Sequence, residues 1–350
     1  MARRRVAYVL DPRFPGGTSS ALAQELRAIA PILRPHVYGI SSRMFSGDRI
    51  APVLEEALDE LGLDLRWDPE RIAADIVIVH NPAFLKFQTE FPARIIARRL
   101  LVVTHENFLR PGGNEGFDVA RCLDQLDRAS LALEKTLAPI SPWNRRTVTD
   151  WLAARSRGPR WRVLGQDWFN ICAFERHPPN PAPRDRRGRL SRPGFEKFPP
   201  LADLEVSFPP EAERNLLLGA DTLSDVAGDH PHWEIVPFRA MAVDAFFAGI
   251  DFMIYHTSPA LRESFGRVLA EAIAAGKLVI SDAPTAENFA GGVVSAEPSQ
   301  VGAVVRGFLD DPENYRRQVE HAQAQLDRFS ATRFADFFAE HVLGHKVEAP

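Results

Sequence analysis

Two glutamates lie eight positions apart in the segment RESFGRVLAEAIAAGKLVI, which spans residues 262–280. Glu263 falls in a loop, and Glu271 falls in a helix that we expect to begin near Gly266 and to stop at Gly276. Backbone N–H groups at the start of a helix can bind an anion such as a diphosphate, and a carboxylate can accept hydrogen bonds from the two hydroxyls of a ribose. The spacing therefore predicts a nucleotide site at the start of this helix.

An ordinary amphipathic helix is the alternative interpretation of this segment. Arg267 and Glu271 are four positions apart and could form a surface ion pair worth about 0.3 kcal/mol. Glu263 could be a loop carboxylate near the positive end of a helix. Three residues lie between Glu263 and the helix proper: Ser264, Phe265 and Gly266. They favour ligand binding because they can bring bare backbone N–H groups close to an anion.

A run of cations precedes this segment in the chain. Six positive side chains occupy fourteen positions: Arg184, Arg186, Arg187, Arg189, Arg192 and Lys197. A guanidinium can bind a diphosphate through two hydrogen bonds, and an ammonium binds it as a point charge. Arg189 and Lys197 are the candidates for this contact, and Arg192 could share or replace the role of Arg189. A solvated basic loop is the alternative.

Two further candidates follow apolar strands in the first half of the chain. Gly16 and Gly17 follow the first strand, in the turn FPGGT, and His105 follows a later strand in THEN. Ligands of α/β folds bind at the carboxyl ends of parallel strands, where glycine lets the backbone approach them. The turn is not G-x-G-x-x-G, which disfavours a dinucleotide site. A tight turn is the alternative for the glycines, and a structural hydrogen bond is the alternative for His105 and for His80.

Apolar strands alternate with helices through most of the chain. The predicted strands are Arg5–Leu10, His36–Ile40, Asp75–His80, Leu100–Thr104, Thr136–Ile140, Trp161–Leu164, Asn215–Gly219, Trp233–Pro237, Phe252–His256, Leu278–Ser281 and Gly292–Val294. Predicted helices include 19–29, 50–61, 119–134, 243–248, 266–275, 312–326 and 332–342. Such alternation with fully apolar strands is typical of parallel, doubly wound α/β sheets.

The length and a proline-rich stretch predict two domains. A chain of 350 residues exceeds what one hydrophobic core usually organises. The prolines of HPPNPAP, at residues 177–183, are typical of an extended connector. We therefore expect one domain over residues 1–172 and a second over residues 173–329, with a C-terminal helix at 330–350 that packs back on the first.

Composition excludes several other classes of protein. The formal net charge of −4 argues against nucleic acid as a whole-surface partner. No apolar run reaches membrane-spanning length, and the opening MARRR lacks the apolar core of a secretory signal. The two cysteines form no C-x-x-C or zinc pattern, so we expect free thiols in a reducing cytoplasm. ARIIARR, at residues 93–99, is either a solvated helix face or a peripheral contact with an anionic membrane.

The candidate sites occur in the order found in a known family. With its glycine turn, His105, the G-R-L…E-K segment around Arg189 and Lys197, and the glutamate pair, the chain resembles the retaining glycosyltransferases of family 4. The resemblance spans most of the chain and implies the GT-B fold, in which two Rossmann-like domains face each other across a cleft. By this resemblance the first domain contacts the acceptor, a glycan or a lipid-linked sugar, and the second binds a nucleotide diphosphate sugar.

The resemblance also implies a role for each candidate residue. Arg189 and Lys197 would stabilise the leaving diphosphate together with the backbone near Gly266, and Glu271 would accept from the ribose. Glu263 and His105 would contact the donor sugar. The remaining donor-binding candidates by this resemblance are Gly16, Gly17, Arg192, Ser264, Phe265 and Arg267.

Retention would follow from front-face attack by the acceptor. No D-x-D motif occurs in the chain, and the cationic loop could replace a divalent ion, so we expect no metal and no cofactor. A sugar-nucleotide epimerase of the same fold and a non-catalytic homologue are the alternatives. The missing glycine fingerprint disfavours a nicotinamide dehydrogenase.

Overall fold

A computed structural model describes residues 4–155 and 161–344. The chain divides into two compact units, which are described separately. The first unit ends at Ile171 and resumes at Phe329, and the second unit spans Cys172–Arg328. The predicted end of the C-terminal helix, residues 345–350, lies outside the described residues.

The first unit is built on a parallel sheet. Its seven described strands are β1 Val6–Leu10, β2 His36–Gly39, β3 Leu65–Trp67, β4 Arg71–His80, β5 Arg94–Thr104, β6 Ser130–Pro139 and β7 Trp161–Val163. They lie in the order β3-β2-β1-β4-β5-β6-β7, and every pair is parallel. This is the strand order of a Rossmann fold, with its change of direction at β1.

Helices cover the sheet of the first unit. They are α1 Gly17–Ile29, α2 Pro52–Leu61, α3 Val119–Ala129 and α4 Pro142–Ala153, joined from the C-terminal part of the chain by α11 Ala331–Phe337 and a π-helical turn, Phe338–Val342. Trp168 packs edge-on against three phenylalanines of this last segment, with ring centroids 5.6–6.1 Å apart. The guanidinium of Arg99 donates to the carbonyl of Val342 at 2.6 Å. These contacts hold the end of the chain on the first unit.

Strands β4, β5 and β6 begin earlier than predicted. The expected helix over residues 119–134 ends at Ala129, and residues 93–99 lie mainly in β5 instead of forming a helix. The physical reason is that one face of these first strand halves is open to solvent. Ile96, Leu131 and Leu133 are 41%, 75% and 82% exposed. Polar and apolar residues therefore alternate irregularly there, and the pattern is not that of a buried strand.

The second unit repeats the architecture with six described strands. They are β8 Arg186–Leu190, β9 Arg214–Leu218, β10 Trp233–Val236, β11 Phe252–Tyr255, β12 Leu278–Ser281 and β13 Val294–Ser295, in the order β10-β9-β8-β11-β12-β13. The helices are α5 Leu201–Ser207, α6 Val243–Ala248, α7 Arg267–Ala274, α8 Ala283–Glu287, α9 Val301–Asp310 and α10 Pro312–Gln325. The predicted fold class, two Rossmann-like doubly wound units, is confirmed.

The arginine-rich segment PRDRRGRL contains β8, the first strand of the second unit. Arg186 reaches Asp251 through two hydrogen bonds of 2.8 and 3.0 Å, and Asp251 is fully buried. Arg187 pairs with Asp185 at 2.6 Å and donates to the carbonyl of Ser207. Because each buried charge has a charged or carbonyl partner, the cations do not prevent strand formation.

Candidate functional site

The loop before α7 is fixed by its backbone and by one buried ring. Gly266 has φ +93°, in the left-handed region where a side chain would be strained. Phe265 packs against the ring of Phe289 at 5.8 Å, and its carbonyl accepts from Asn288 Nδ2 at 3.2 Å. No side chain caps the start of α7, which begins at Arg267. The N-terminal end of this helix can therefore attract an anion through its partial positive charge.

Glu263 lies in a cluster of three polar groups at this loop. Its Oε1 accepts from Lys197 Nζ at 2.5 Å and from the hydroxyl of Tyr255 at 2.6 Å. Burial acts to raise the pKa of Glu263, but the ammonium of Lys197 and these hydrogen bonds outweigh burial and hold the pKa below its usual range. The structure thus brings two predicted site residues together and adds Tyr255, which sequence reasoning missed.

Glu271 lies on α7 and is half-buried. Burial raises its pKa, and the nearby charge of Arg267 offsets part of that effect. In the described part of the chain its carboxylate makes no hydrogen bond, and the guanidinium of Arg267 lies over the ring of Phe174 at 4.9 Å. The two side chains do not form the surface ion pair that the sequence left open. The carboxylate of Glu271 is therefore available to accept from a ligand.

Arg189 lies beneath the surface of the second unit. Its guanidinium is sandwiched between the rings of Phe198 at 4.8 Å and Tyr255 at 4.4 Å, and the residue is only 1% exposed. Its Nη2 donates to the carbonyl of Lys197. Burial lowers the pKa of Arg189 to about 10. Its Nε and Nη1 have no hydrogen-bond partner in the described residues, so the phosphate contact expected for Arg189 stays a prediction. Arg192, the alternative that the sequence left open, is exposed.

In the first unit, Gly16 and Gly17 lie at the carboxyl end of β1. A side chain at Gly16 would collide with the ring of Phe14, since a Cβ there would lie 2.3 Å from it. Gly17 has open space around it and begins α1, which also lacks a side-chain cap. The turn thus lies directly before a helix whose start has no side-chain cap.

Asp11, which sequence reasoning missed, lies just before this turn. It is buried, pairs with Arg13 at 2.7 Å and accepts from the hydroxyl of Ser42 at 2.6 Å. Together with Phe14, Phe45 and other side chains it lines a small cavity of about 30 Å³, large enough for about one water molecule. The rings of Phe14 and Phe45 stack at 5.4 Å and form one wall. The signal available in the sequence was an aspartate directly after the first strand.

His105 also lies at this edge of the first sheet. Its Nε2 is 3.0 Å from Nδ1 of His80, the last residue of β4. Burial, with a smaller contribution from His80, lowers the pKa of His105 well below its usual value. The imidazole is therefore neutral near pH 7 and can exchange hydrogen bonds without carrying a charge.

Two classes of feature are not found in the described ranges. Residues 4–155 and 161–344 bring together no group of three or more histidine, cysteine, aspartate or glutamate side chains that could hold a metal ion. Among the helices of the same ranges, none is both long and apolar enough to cross a bilayer. Both cysteines are buried and free, and burial raises the pKa of each thiol to about 12.

The fold of the chain is similar to that of several solved structures. HepE from Anabaena, solved in complex with UDP, has a TM-score of 0.68 at 16% identity, over 97% of this chain and 100% of that chain. Sucrose-phosphate synthase from Thermosynechococcus elongatus has a TM-score of 0.62 at 14% identity, over 98% and 99% of the two chains. A structure from Escherichia coli bound with UDP-2-fluoro glucose has a TM-score of 0.60 at 12% identity, over 96% of this chain and 98% of that chain.

The similarity lies in the fold and not in the sequence. No protein-family model matches this chain, and no curated protein matches it by sequence. At identities of 12–16% the solved structures share its two Rossmann-like units over nearly the whole length. The chain has the GT-B fold.

Proposed function

We propose that the protein is a retaining glycosyltransferase that moves a sugar from a nucleotide diphosphate sugar to an acceptor hydroxyl. The cluster of Lys197, Glu263 and Tyr255 beside the uncapped start of α7 carries this proposal. It places a cation, a hydrogen-bonding carboxylate and the N-terminal end of a helix within one loop region. A diphosphate and a sugar need these three kinds of partner.

Uridine is the proposed nucleotide of the donor. The solved structures of HepE hold UDP and UDP-glucose, and the proposal transfers this donor class to the present chain. Glu271 would accept from the ribose, because its half-buried carboxylate makes no hydrogen bond in the described residues. Glu263 would accept from a hydroxyl of the donor sugar, and Lys197 and Arg192 would contact the diphosphate.

In the proposed reaction the bond between the anomeric carbon and the phosphate oxygen breaks as the acceptor oxygen attacks from the same face. The acceptor proton passes to the leaving phosphate oxygen. Negative charge grows on the diphosphate during this step, so cations and helix N–H groups stabilise the transition state more than the bound donor. Lys197 and the start of α7 supply this stabilisation, and we propose that the reaction needs no metal ion and no cofactor.

In the first unit we propose that His105 contacts the donor sugar and that Gly16 and Gly17 let the backbone approach it. For the acceptor, the aromatic wall of Phe14 and Phe45 and the buried Asp11 favour a sugar, since sugars pair apolar faces with hydroxyl groups. An acceptor linked to a lipid would bring the protein to a membrane. The exposed sheet face around Ile96, with its arginines, is the proposed contact.

Incubation with UDP-glucose and a panel of sugar acceptors tests the proposal, with the anomeric configuration of any product read by NMR. Transfer with retention, undiminished by a chelator, is the expected result. Isomerised UDP-sugar formed without acceptor would select the epimerase, and no turnover with intact UDP binding would select the non-catalytic homologue. Flotation with anionic and neutral vesicles tests the membrane contact, and fractionation of cells tests the proposed cytoplasmic location.

A further inference from the structure

In the first unit, His105 is the outermost of a series of polar side chains that includes the buried His80 and Glu25. Nε2 of His105 lies 3.0 Å from Nδ1 of His80, and Nε2 of His80 lies 3.3 Å from Oε2 of Glu25. The other oxygen of Glu25 accepts from Trp168 Nε1 at 2.9 Å. Glu25 and His80 are fully buried. None of the roles described above uses these two residues, although burying a carboxylate and an imidazole is costly unless they are paired.

The positions of the protons in this series of side chains follow from the partner of each atom. The indole nitrogen of Trp168 can only donate, so Oε1 of Glu25 is an acceptor. Oε2 of Glu25 and Nε2 of His80 have no hydrogen-bond partner in the described residues, and the two atoms face each other at 3.3 Å. A buried carboxylate oxygen requires a donor, so the proton of His80 belongs on its Nε2.

The tautomer of His105 follows from that of His80. A neutral imidazole has one N–H, so Nδ1 of His80 is an acceptor when its Nε2 is protonated. Within residues 4–155 and 161–344 its hydrogen-bond partner is Nε2 of His105, which must then donate. The remaining nitrogen of His105, Nδ1, therefore carries a lone pair.

We propose that Glu25 and His80 are positioning residues that hold His105 in its Nε2-protonated tautomer, so that Nδ1 of His105 accepts a hydrogen bond from a hydroxyl of the donor sugar. This inference rests on the proposed function, because that function places His105 against the sugar. It adds a specificity rule, namely that the sugar must present a hydroxyl that donates at this point.

Burial disfavours a positive charge on the imidazole of His105 and lowers its pKa. The ring of Tyr8 lies 5.5 Å from that of His80, and burial, with a smaller contribution from Glu25, raises the pKa of Tyr8 well above its usual value, so this phenol stays neutral. Glu106 follows His105 directly, and Asp11 lines the small cavity that His80 also lines. Asp11 is already paired with Arg13.

Imidazole nitrogen NMR on the uniformly ¹⁵N-labelled full chain tests the tautomers without any substrate. We expect His80 and His105 to be Nε2-protonated at neutral pH, with the two rings assigned through His80→Gln and His105→Gln. In Glu25→Gln, Trp168 should still donate to the amide oxygen, which turns the amide NH₂ toward His80. Both imidazoles should then switch to the Nδ1-protonated form. A wild-type His105 that is Nδ1-protonated or doubly protonated overturns the inference.

Kinetics with UDP-glucose provide the second readout. Glu25→Gln should lower kcat/KM about tenfold, the equivalent of one lost hydrogen bond, and leave UDP affinity unchanged. Glu60→Gln is the matched control, since this glutamate pairs with Arg27 on the surface. An unchanged kcat/KM in an active Glu25→Gln enzyme overturns the inference while the transferase stands. If the wild-type protein transfers no sugar at all, the proposed function fails. If Glu25→Gln does not fold, the tautomers of the two histidines in the wild-type protein still test the positioning role.

Discussion

Replacing Lys197 and Glu263 one at a time should change UDP binding in opposite directions. The ammonium of Lys197 lies 2.5 Å from Oε1 of Glu263, and the two side chains are 27% and 17% exposed. A diphosphate that binds beside α7 must share this ammonium with the carboxylate. The carboxylate itself repels the diphosphate, because like charges in a partly buried site are weakly screened.

The magnitudes follow from the kind of contact. A hydrogen bond to a charged group contributes about 1.5–3 kcal/mol, so Lys197→Met should weaken UDP binding by about 10- to 100-fold. Glu263→Gln keeps the shape of the side chain but removes its charge and releases the ammonium. UDP affinity should then stay the same or rise up to about tenfold. Sugar transfer by this variant should nevertheless fall by about tenfold or more, because the donor sugar loses a charged acceptor.

Isothermal titration with UDP measures the binding, and initial rates with UDP-glucose measure the transfer. Lys135→Met is the matched control, because Lys135 also forms a 2.5 Å pair, with Asp127, and neither residue is a candidate site residue. It should leave UDP affinity unchanged. The reasoning is refuted if Glu263→Gln weakens UDP binding as much as Lys197→Met does, because the pair would then act as one structural element. Unchanged UDP affinity in Lys197→Met would refute the phosphate contact itself.

Three further predictions concern two arginines of the basic segment, two glycines at helix starts and one buried carboxylate. Arg192→Ala should weaken UDP binding more than Arg189→Met does. The buried guanidinium of Arg189 lies between two aromatic rings, and a methionine side chain can fill the same space. Titration of both variants with UDP compares them. Gly266→Ala should destabilise the protein by about 1–2 kcal/mol because of its left-handed backbone, whereas Gly17→Ala should change stability by less than about 0.5 kcal/mol in urea unfolding. Burial opposes ionisation of Asp251, but the hydrogen bonds from Arg186, Asn180 and the Arg184 N–H lower its pKa overall. The ionised Asp251 therefore stabilises the folded protein at pH values above the ordinary pKa of 3.8. This contribution is lost as the pH falls through the lower pKa that Asp251 has in the folded protein. Asp251→Asn should therefore cost about 3 kcal/mol at neutral pH and flatten the acid limb of urea unfolding measured across pH.

The buried halves of the strands could be predicted from the sequence, and the halves with one solvent-exposed face could not. Asp75–His80 and Leu100–Thr104 are continuous apolar runs, and the structure has strands there. The stretches that precede them in β4 and β5 have one solvent face, so their side chains do not form an apolar run. Strand β3, Leu65–Trp67, was missed because three partly exposed residues carry no periodic signal.

The sequence predicted the candidate site residues one by one but did not predict which of them pair. Lys197 and Glu263 were assigned separately to the diphosphate and to the sugar, whereas the fold joins them across 66 positions. No local pattern encodes such a contact. For Arg189 the residue types of G-R-L predict a phosphate-binding segment, but they do not predict that the residue is buried in the folded protein. Which face of a strand a residue occupies depends on the sheet that forms around it.

The cationic strand β8 supports the phosphate side of the site through burial. Arg186 is neutralised by Asp251, and Arg187 by Asp185, so neither contributes a free charge to the loop. Arg189 remains positive between two aromatic rings and donates to the carbonyl of Lys197. Its charge also helps to hold Glu263 ionised. Of these three cations Arg189 therefore holds the Lys197 loop and its glutamate in place, and we propose that the exposed Arg192 and Lys197 contact the diphosphate.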